Sequence, residues 1–193
     1  MEEVATVSRA QLKKLFQGID KRLCHSLEIY VIGGAAAILG YNVVKETNDV
    51  DVDGKISPEF ARAFELEAKA QNLNLHLSEV GVFSPPENYR ERAKFEDFPE
   101  RKLRVWYLDQ YDLAISKIDR GIEKDFVDIE RVHKRAPYDV DKLIQIFNEE
   151  YIKTVAIGDP RVKKMNLVDL AARLFGDDVA VSTASKIGIP VPK

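Results

Sequence analysis

The run Asn48-Asp49-Val50-Asp51-Val52-Asp53 places an aspartate at every second position. In an extended chain residues two apart project from one face, so Asp49, Asp51 and Asp53 stand together while Val50 and Val52 anchor the strand from behind. Carboxylates crowded this way repel one another. A hard divalent cation among their oxygens reverses that cost, as Mg²⁺ does where phosphoryl groups are transferred. Without a cation the same pattern describes an exposed edge strand whose charges discourage aggregation. Upstream, the apolar run Leu27-Glu28-Ile29-Tyr30-Val31-Ile32 stops at Gly33-Gly34 and gives way to the helix-favouring Ala35-Ala36-Ala37-Ile38-Leu39. Glycines at a strand-to-helix turn let backbone amides approach a phosphate, and the helix N-terminus adds a favourable dipole. They equally serve a tight turn that needs a positive φ.

A second charged set lies downstream. Lys117, Arg120, Lys124 and Asp128 follow at helical intervals, which puts them on one face of a helix expected over 112–134, with Ile115, Ile118, Ile122, Phe126 and Ile129 on the opposite face. Stacked cations at these intervals repel by ~0.2–0.5 kcal/mol per pair. An anion facing them offsets this, whether a triphosphate, the carboxylates of Asp49 and Asp51, or Asp125 and Asp128 of the same helix; a solvated charged face is the plainer alternative. Gly121 is the residue able to interrupt that helix.

The string Gly33-Gly34-Ala35-Ala36-Ala37, followed by Thr47-Asn48-Asp49-Val50-Asp51-Val52, resembles the Gly-Gly and paired-aspartate signature of the polymerase-β-type nucleotidyltransferase superfamily. Within it the nearest branch is bacterial, close to AbiEii-like toxin proteins and related domains. The stretch Asp112 to Ile129 is similar to the "DLxxxKxxR…KDxxDI" pattern of those relatives, and the resemblance covers roughly residues 27–135. It implies that Asp49 and Asp51 hold Mg²⁺ (or Mn²⁺), that Gly33, Gly34 and Thr47 bind a nucleoside triphosphate, and that Lys117, Arg120 and Lys124 neutralise its charge, with Lys117 also in a catalytic role. A third metal carboxylate is expected on a later strand, and Glu79 in Leu75-His76-Leu77-Ser78-Glu79-Val80 is the best-placed acid, although Leu75 and Leu77 on its strand face look like core. Lys45 stands where these relatives often carry arginine, which keeps the charge and loses a planar two-pronged donor. The implied activity is transfer of a nucleotide to an acceptor hydroxyl on tRNA, protein or a small molecule, with an antitoxin or toxin as a further partner. The alternative is a catalytically inactive module of the same fold that binds nucleotide or a partner protein.

These residues need a scaffold, and the sequence supplies one. An amphipathic helix is expected over 8–24, with Ser8 as its cap and Leu12, Leu15, Phe16, Ile19 and Leu23 as its buried stripe. Strands are expected near 27–32, 48–53, 73–83 and 103–108, and a helix runs from about Pro58 to Asn72. Ser84 to Arg101, with Pro85-Pro86 and Pro99 among many charges, reads as an excursion. Helices follow over 112–134, 139–151 and 166–175, before the tail Ile189-Pro190-Val191-Pro192. The expected fold is α/β: a small mixed sheet of the nucleotidyltransferase fold in residues 1–110, then a helical part in 111–193 packing on it, with the active cleft between them.

Composition narrows the function classes. At 193 residues with 45% hydrophobic and 32% charged content the chain can bury a sizeable core, and its net charge of -3 gives no global field for nucleic acid. Cys24 has no cysteine to pair with, and no zinc-ligand spacing links it to His25, His76 or His133. The neighbours Cys24 and His25 lack the glycine elbow of a hydrolase nucleophile. Trp106 and Tyr107 read as core and sheet-face packing. A reducing cytoplasm is expected, with no membrane partner, because Met1-Glu2-Glu3 is acidic and no apolar run approaches the ~18 residues of a bilayer span.

Overall fold

The alternation of valine and acid decides which face of the sheet is dry. In the computed structural model, which describes residues 6–43, 45–79, 85–153 and 158–190, contacts divide the chain into two units, Met1–Val82 with Arg92–Asp109 and Phe83–Glu91 with Gln110–Lys193. The first unit contains β1 (Thr6–Val7), α1 (Arg9–Arg22), β2 (Leu27–Ile32), α2 (Gly33–Tyr41), β3 (Lys45–Glu46), β4 (Asp49–Asp53), α3 (Pro58–Ala70), β5 (His76–Glu79), β6 (Lys94–Asp97) and β7 (Leu103–Tyr107). Five of the strands form one mixed sheet in the order β5-β4-β2-β7-β6, and β1 pairs with β3 apart from it. The central β2 runs antiparallel to β4 and parallel to β7, while β4 is parallel to β5 and β6 antiparallel to β7.

One face of that sheet is core. Ile29, Val31, Val50, Val52, Leu103, Val105 and Tyr107 are buried, and α1, α2 and α3 pack against the strands. Burial of each such side chain contributes about 1.5–3 kcal/mol. The helices begin where the sequence marks them: Ser8 Oγ accepts the Gln11 amide while Gln11 Oε1 accepts the Ser8 amide, a reciprocal cap, and Ser57 Oγ accepts the Phe60 amide behind Pro58. Asn42, at φ 53°, ends α2 in the left-handed region.

Two expectations in this unit are corrected. The strand expected over 73–83 pairs only over His76–Glu79, and residues 80–84 lie outside the described ones. The excursion expected over Ser84 to Arg101 contains β6, because β7 supplies a pairing edge that local composition cannot reveal. The connection between β6 and β7 is pinned from below: the fully buried Asp20 of α1 accepts the amides of Glu100 at 2.8 Å, Lys102 at 2.9 Å and Leu103 at 2.7 Å.

The second unit is helical: α4 (Tyr89–Arg92) at its boundary, then α5 (Gln110–Ile118), α6 (Glu123–His133), α7 (Val140–Ile146) running into a π-helical turn (Phe147–Tyr151), α8 (Pro160–Phe175) and α9 (Asp177–Lys186). Asp139 and Asp159 cap α7 and α8 through their carboxylates. The helix expected over 139–151 therefore changes pitch at Phe147, the one expected over 166–175 starts earlier at Pro160, and α9 was not foreseen. Burial lowers the pKa of His133, so its Nδ1 is free of a proton and accepts the Tyr138 amide at 3.1 Å. Among the described residues no helix is long and apolar enough to cross a membrane.

Candidate active site

The glycine turn and the acidic strand, fifteen residues apart in sequence, meet at one edge of β2. Because β2 and β4 are antiparallel, Asp51 lies opposite Ile32, the last residue before the glycines. Gly33 has φ +61°, and a Cβ built there would sit 2.7 Å from Asp51 Oδ2, so the backbone and the carboxylate occupy space that no other residue type leaves open. At the start of α2 the cap residue Ile32 offers no side-chain acceptor and the first turn carries no acid. The nine-residue helix therefore starts beside Asp51, with the positive end of its dipole toward the carboxylate. Asp49 is exposed and Asp51 half-buried on the same strand face, with Asp53 beyond them. Thr47 Oγ1 donates to the Asp49 carbonyl at 3.1 Å and accepts the Asp49 amide at 3.4 Å, so Thr47 braces the start of the acidic strand.

These are hard oxygen donors beside an anion-attracting helix end. A Mg²⁺-sized cation is commonly held by one or two carboxylates together with substrate phosphates, and Asp49 with Asp51 fits that donor set. Among the described residues no group of three or more His, Cys, Asp or Glu is gathered for a metal. A nucleotide's own oxygens would complete the shell.

The structure does not bring Glu79 to the acidic pair. In the parallel pairing of β4 with β5, Glu79 stands opposite Val52, while His76 and Ser78 stand opposite Asp49 and Asp51. Glu79 therefore leaves the sheet on the helix-covered face, where its Oε1 accepts the Ile56 amide at 2.7 Å and shapes the turn into α3. The alternation around it was legible: Leu75 and Leu77 are core-side residues, and Glu79 shares their parity. Ser78 and His76, which do share a face with the aspartates, were passed over in favour of an acid.

The matching of this geometry is accompanied by a family match. A family model described as "Nucleotidyltransferase of unknown function (DUF6036)" matches residues 10–171. The chain belongs to this nucleotidyltransferase family. No curated protein and no solved structure matches it. The match spans both the acidic strand and the helices α5 and α6.

In the second unit the expected cationic face takes another form, and the single helix over 112–134 is corrected. Gly121, at φ +60°, closes α5, and a Cβ there would collide with Asn166 Nδ2, the group that caps the Ile118 carbonyl at 2.8 Å. The chain re-enters a helix at Glu123, which turns α6 back so that its carboxylates face α5. Lys117, only 7% exposed, reaches Asp128 at 2.7 Å and Asp125 at 3.6 Å; Arg120 grips the buried Asp125 through two bonds of 2.6 and 2.7 Å. Lys124 is exposed. Lys117 and Arg120 are thus engaged with carboxylates of their own unit, the last of the alternatives the spacing left open. The buried Lys163 meets the partly buried Asp119 at 2.6 Å, and the Tyr151 hydroxyl donates to the same carboxylate. Burial, followed by Asp119, pushes the Tyr151 pKa far up, so the phenol stays protonated.

Gly33→Ala is expected to be the more damaging of the two glycine substitutions. Forcing a left-handed φ on alanine costs on the order of 1–3 kcal/mol, and the new methyl must displace the Asp51 carboxylate. Gly34, which is not among the residues with positive φ, escapes the first of these costs. Melting curves of the two alanine variants, paired with calorimetry of metal–nucleotide binding, check this; equal stability and equal binding would remove Gly33 from the site.

Proposed function

We propose that the first unit binds a nucleoside triphosphate through a divalent cation on Asp49 and Asp51 and transfers its nucleotide to an acceptor hydroxyl. The observation that carries this is the approach of Gly33 to Asp51, which sets a helix N-terminus beside a pair of hard ligands. The cation, when bound, supplies charge neutralisation at the phosphates and lowers the pKa of the attacking hydroxyl. The leading amides of α2 hold the phosphate oxygens, Asp49 and Asp51 fix the reacting group against the strand, and Thr47 keeps Asp49 in place. An oxygen of the acceptor bonds to the α-phosphorus, the bond to the bridging oxygen breaks, pyrophosphate departs, and the hydroxyl proton is released. A role within a toxin–antitoxin pair accords with the same chemistry applied to tRNA or protein.

The position of Glu79 favours a second reading, a module that binds metal–nucleotide without transferring it, since a two-metal centre ordinarily has a further carboxylate beside the first two. Incubation with each α-labelled nucleoside triphosphate, Mg²⁺ or Mn²⁺, tRNA and cell protein separates the two. Label on an acceptor that survives Glu79→Gln and is lost in Asp51→Asn supports transfer by the two-carboxylate site. Metal-dependent nucleotide binding with no label on any acceptor supports the binding module.

A further inference from the structure

The sheet ends in β6, whose outer side has no strand partner among the described residues. An edge of this kind presents a row of backbone N–H and C=O groups, a template for another strand. Sequences blunt such edges with proline, with a bulge, or with charges that repel a newcomer. Lys94-Phe95-Glu96-Asp97 contains no proline, and its pairing with Tyr107 to Arg104 runs residue for residue without a bulge. Two of its charges are tied back to their own chain: Glu96 is held by Arg9 at 2.6 Å and Lys13 at 2.7 Å, and Lys94 meets Asp109 at 3.6 Å with its amine over the Tyr41 ring. Between them Phe95 is 48% exposed, and among the described residues it is the one exposed large apolar side chain on a strand of this sheet. Its ring is steadied by Trp106, with centroids 4.9 Å apart, and by Arg104 at 4.8 Å from its centroid.

The charge pattern of this edge fits a second copy of itself. Two copies paired antiparallel about a two-fold axis normal to the sheet keep their helix-covered faces on one side, so opposite residues must share a face and the axis passes through a residue position. An axis at Lys94, Glu96 or Asp97 sets that charge against itself, which is destabilising. An axis at Phe95 sets the two Phe95 rings opposite one another and places Lys94 of each copy opposite Glu96 of the other. That register joins an aromatic pair to two pairs of opposite charge. The row of Tyr30, Trp106 and Phe95, stacked at 5.7 and 4.9 Å, then runs through the seam into its copy. The strand is short, which puts the association among the weaker, concentration-dependent interfaces. Strands β2 and β7 stand between this edge and β4, so the seam is separate from the acidic pair.

We propose that the chain forms a two-fold symmetric dimer by antiparallel pairing of β6 with β6 of a second copy, centred on Phe95, so that the two sheets become one continuous sheet. The dimer goes beyond the transfer reading and does not depend on it.

Sedimentation equilibrium of the full chain, without nucleotide or divalent metal, is expected to show monomer and dimer in exchange. Phe95→Asp sets two carboxylates against each other at the axis and should raise the dimer dissociation constant by about tenfold or more, with an unchanged circular dichroism spectrum. Cross-linking reads the register. In a Cys24→Ser background, which removes the single native thiol, Phe95→Cys puts the two new thiols at the axis with Cα atoms about 4.5–5.5 Å apart, inside the roughly 4.4–6.8 Å that a disulfide spans. Asp97→Cys in the same background leaves them roughly 13 Å apart along the strands. Mild oxidation should link the Phe95→Cys chains in pairs and leave the Asp97→Cys chains single. Should Phe95→Asp fail to fold, the two cysteine variants decide alone. A parent that stays monomeric at the highest concentration reached, a dimer indifferent to Phe95→Asp, or linkage of Asp97→Cys as ready as that of Phe95→Cys overturns the proposal.

Discussion

Asp51→Asn is expected to lower nucleotide transfer by about a hundredfold or more and to weaken metal–nucleotide binding with it. The neutral amide keeps the shape of the side chain and loses a charged oxygen ligand for a hard cation. Several kcal/mol of transition-state stabilisation pass through such a ligand, and each ~1.4 kcal/mol is a factor of ten in rate. Asp49→Asn should behave alike, since both carboxylates leave the same strand face beside the start of α2. Asp53→Asn is the graded control: it lies opposite Tyr30, one step further from the glycine turn, and its effect should be the smallest of the three. Chelation of the divalent ion should reproduce the Asp51→Asn loss in the parent protein. Calorimetric binding of metal–nucleotide as tight in both Asp49→Asn and Asp51→Asn as in the parent would place the site elsewhere.

Lys117→Ala should destabilise the second unit before it touches any chemistry. The amine is 7% exposed, with Asp125 and Asp128 at 1% and 2%, so its removal takes the close cation from the buried Asp128, while Asp125 keeps Arg120. Breaking a buried pair from one side costs about 3–5 kcal/mol, which for a chain of this size lowers the melting midpoint by roughly 10 °C. Arg120→Ala should cost less, because its guanidinium is half in water and Lys117 still faces Asp125. Lys124→Ala, at an exposed position, should stay within about 0.5 kcal/mol of the parent. Thermal melts of the three variants give the order directly. A Lys117→Ala protein that melts with the parent yet fails to transfer nucleotide would return the amine to the phosphate.

The contrast between these two charged sets shows where local sequence suffices. Asp49, Val50, Asp51 and Val52 declare their faces through a period of two, and a strand of either direction keeps that period. The cap at Ser8, the turn at Gly33 and the stop at Asn42 are likewise local events, set by the conformations that single residues adopt. Lys117, Arg120 and Lys124 depended on a longer assumption, an unbroken helix. Gly121 breaks it, and the reversal is held by Asn166, forty-five residues downstream, which no helical period can reveal.

Strand partners mark the other boundary. The edge strand Lys94–Asp97 has poor strand-forming composition and exists because Leu103–Tyr107 pairs with it. Glu79 was a plausible acid by type; its parity with Leu75 and Leu77 already pointed to the core side, and the register of β5 against β4 sets it opposite Val52, one residue from the Ser78 opposite Asp51. Trp106, read from the sequence as packing, is half-buried against Tyr30 and Phe95 on one sheet face, and its neighbour Tyr107 is buried on the other. The sequence by itself determined the α/β class, the acidic strand and the glycine turn, because each follows from residue type and spacing within a few positions. The tertiary structure alone decided that Gly33 comes against Asp51 and that Lys117 is held by Asp128, because each is a meeting of segments whose approach is fixed by pairing and burial across the fold.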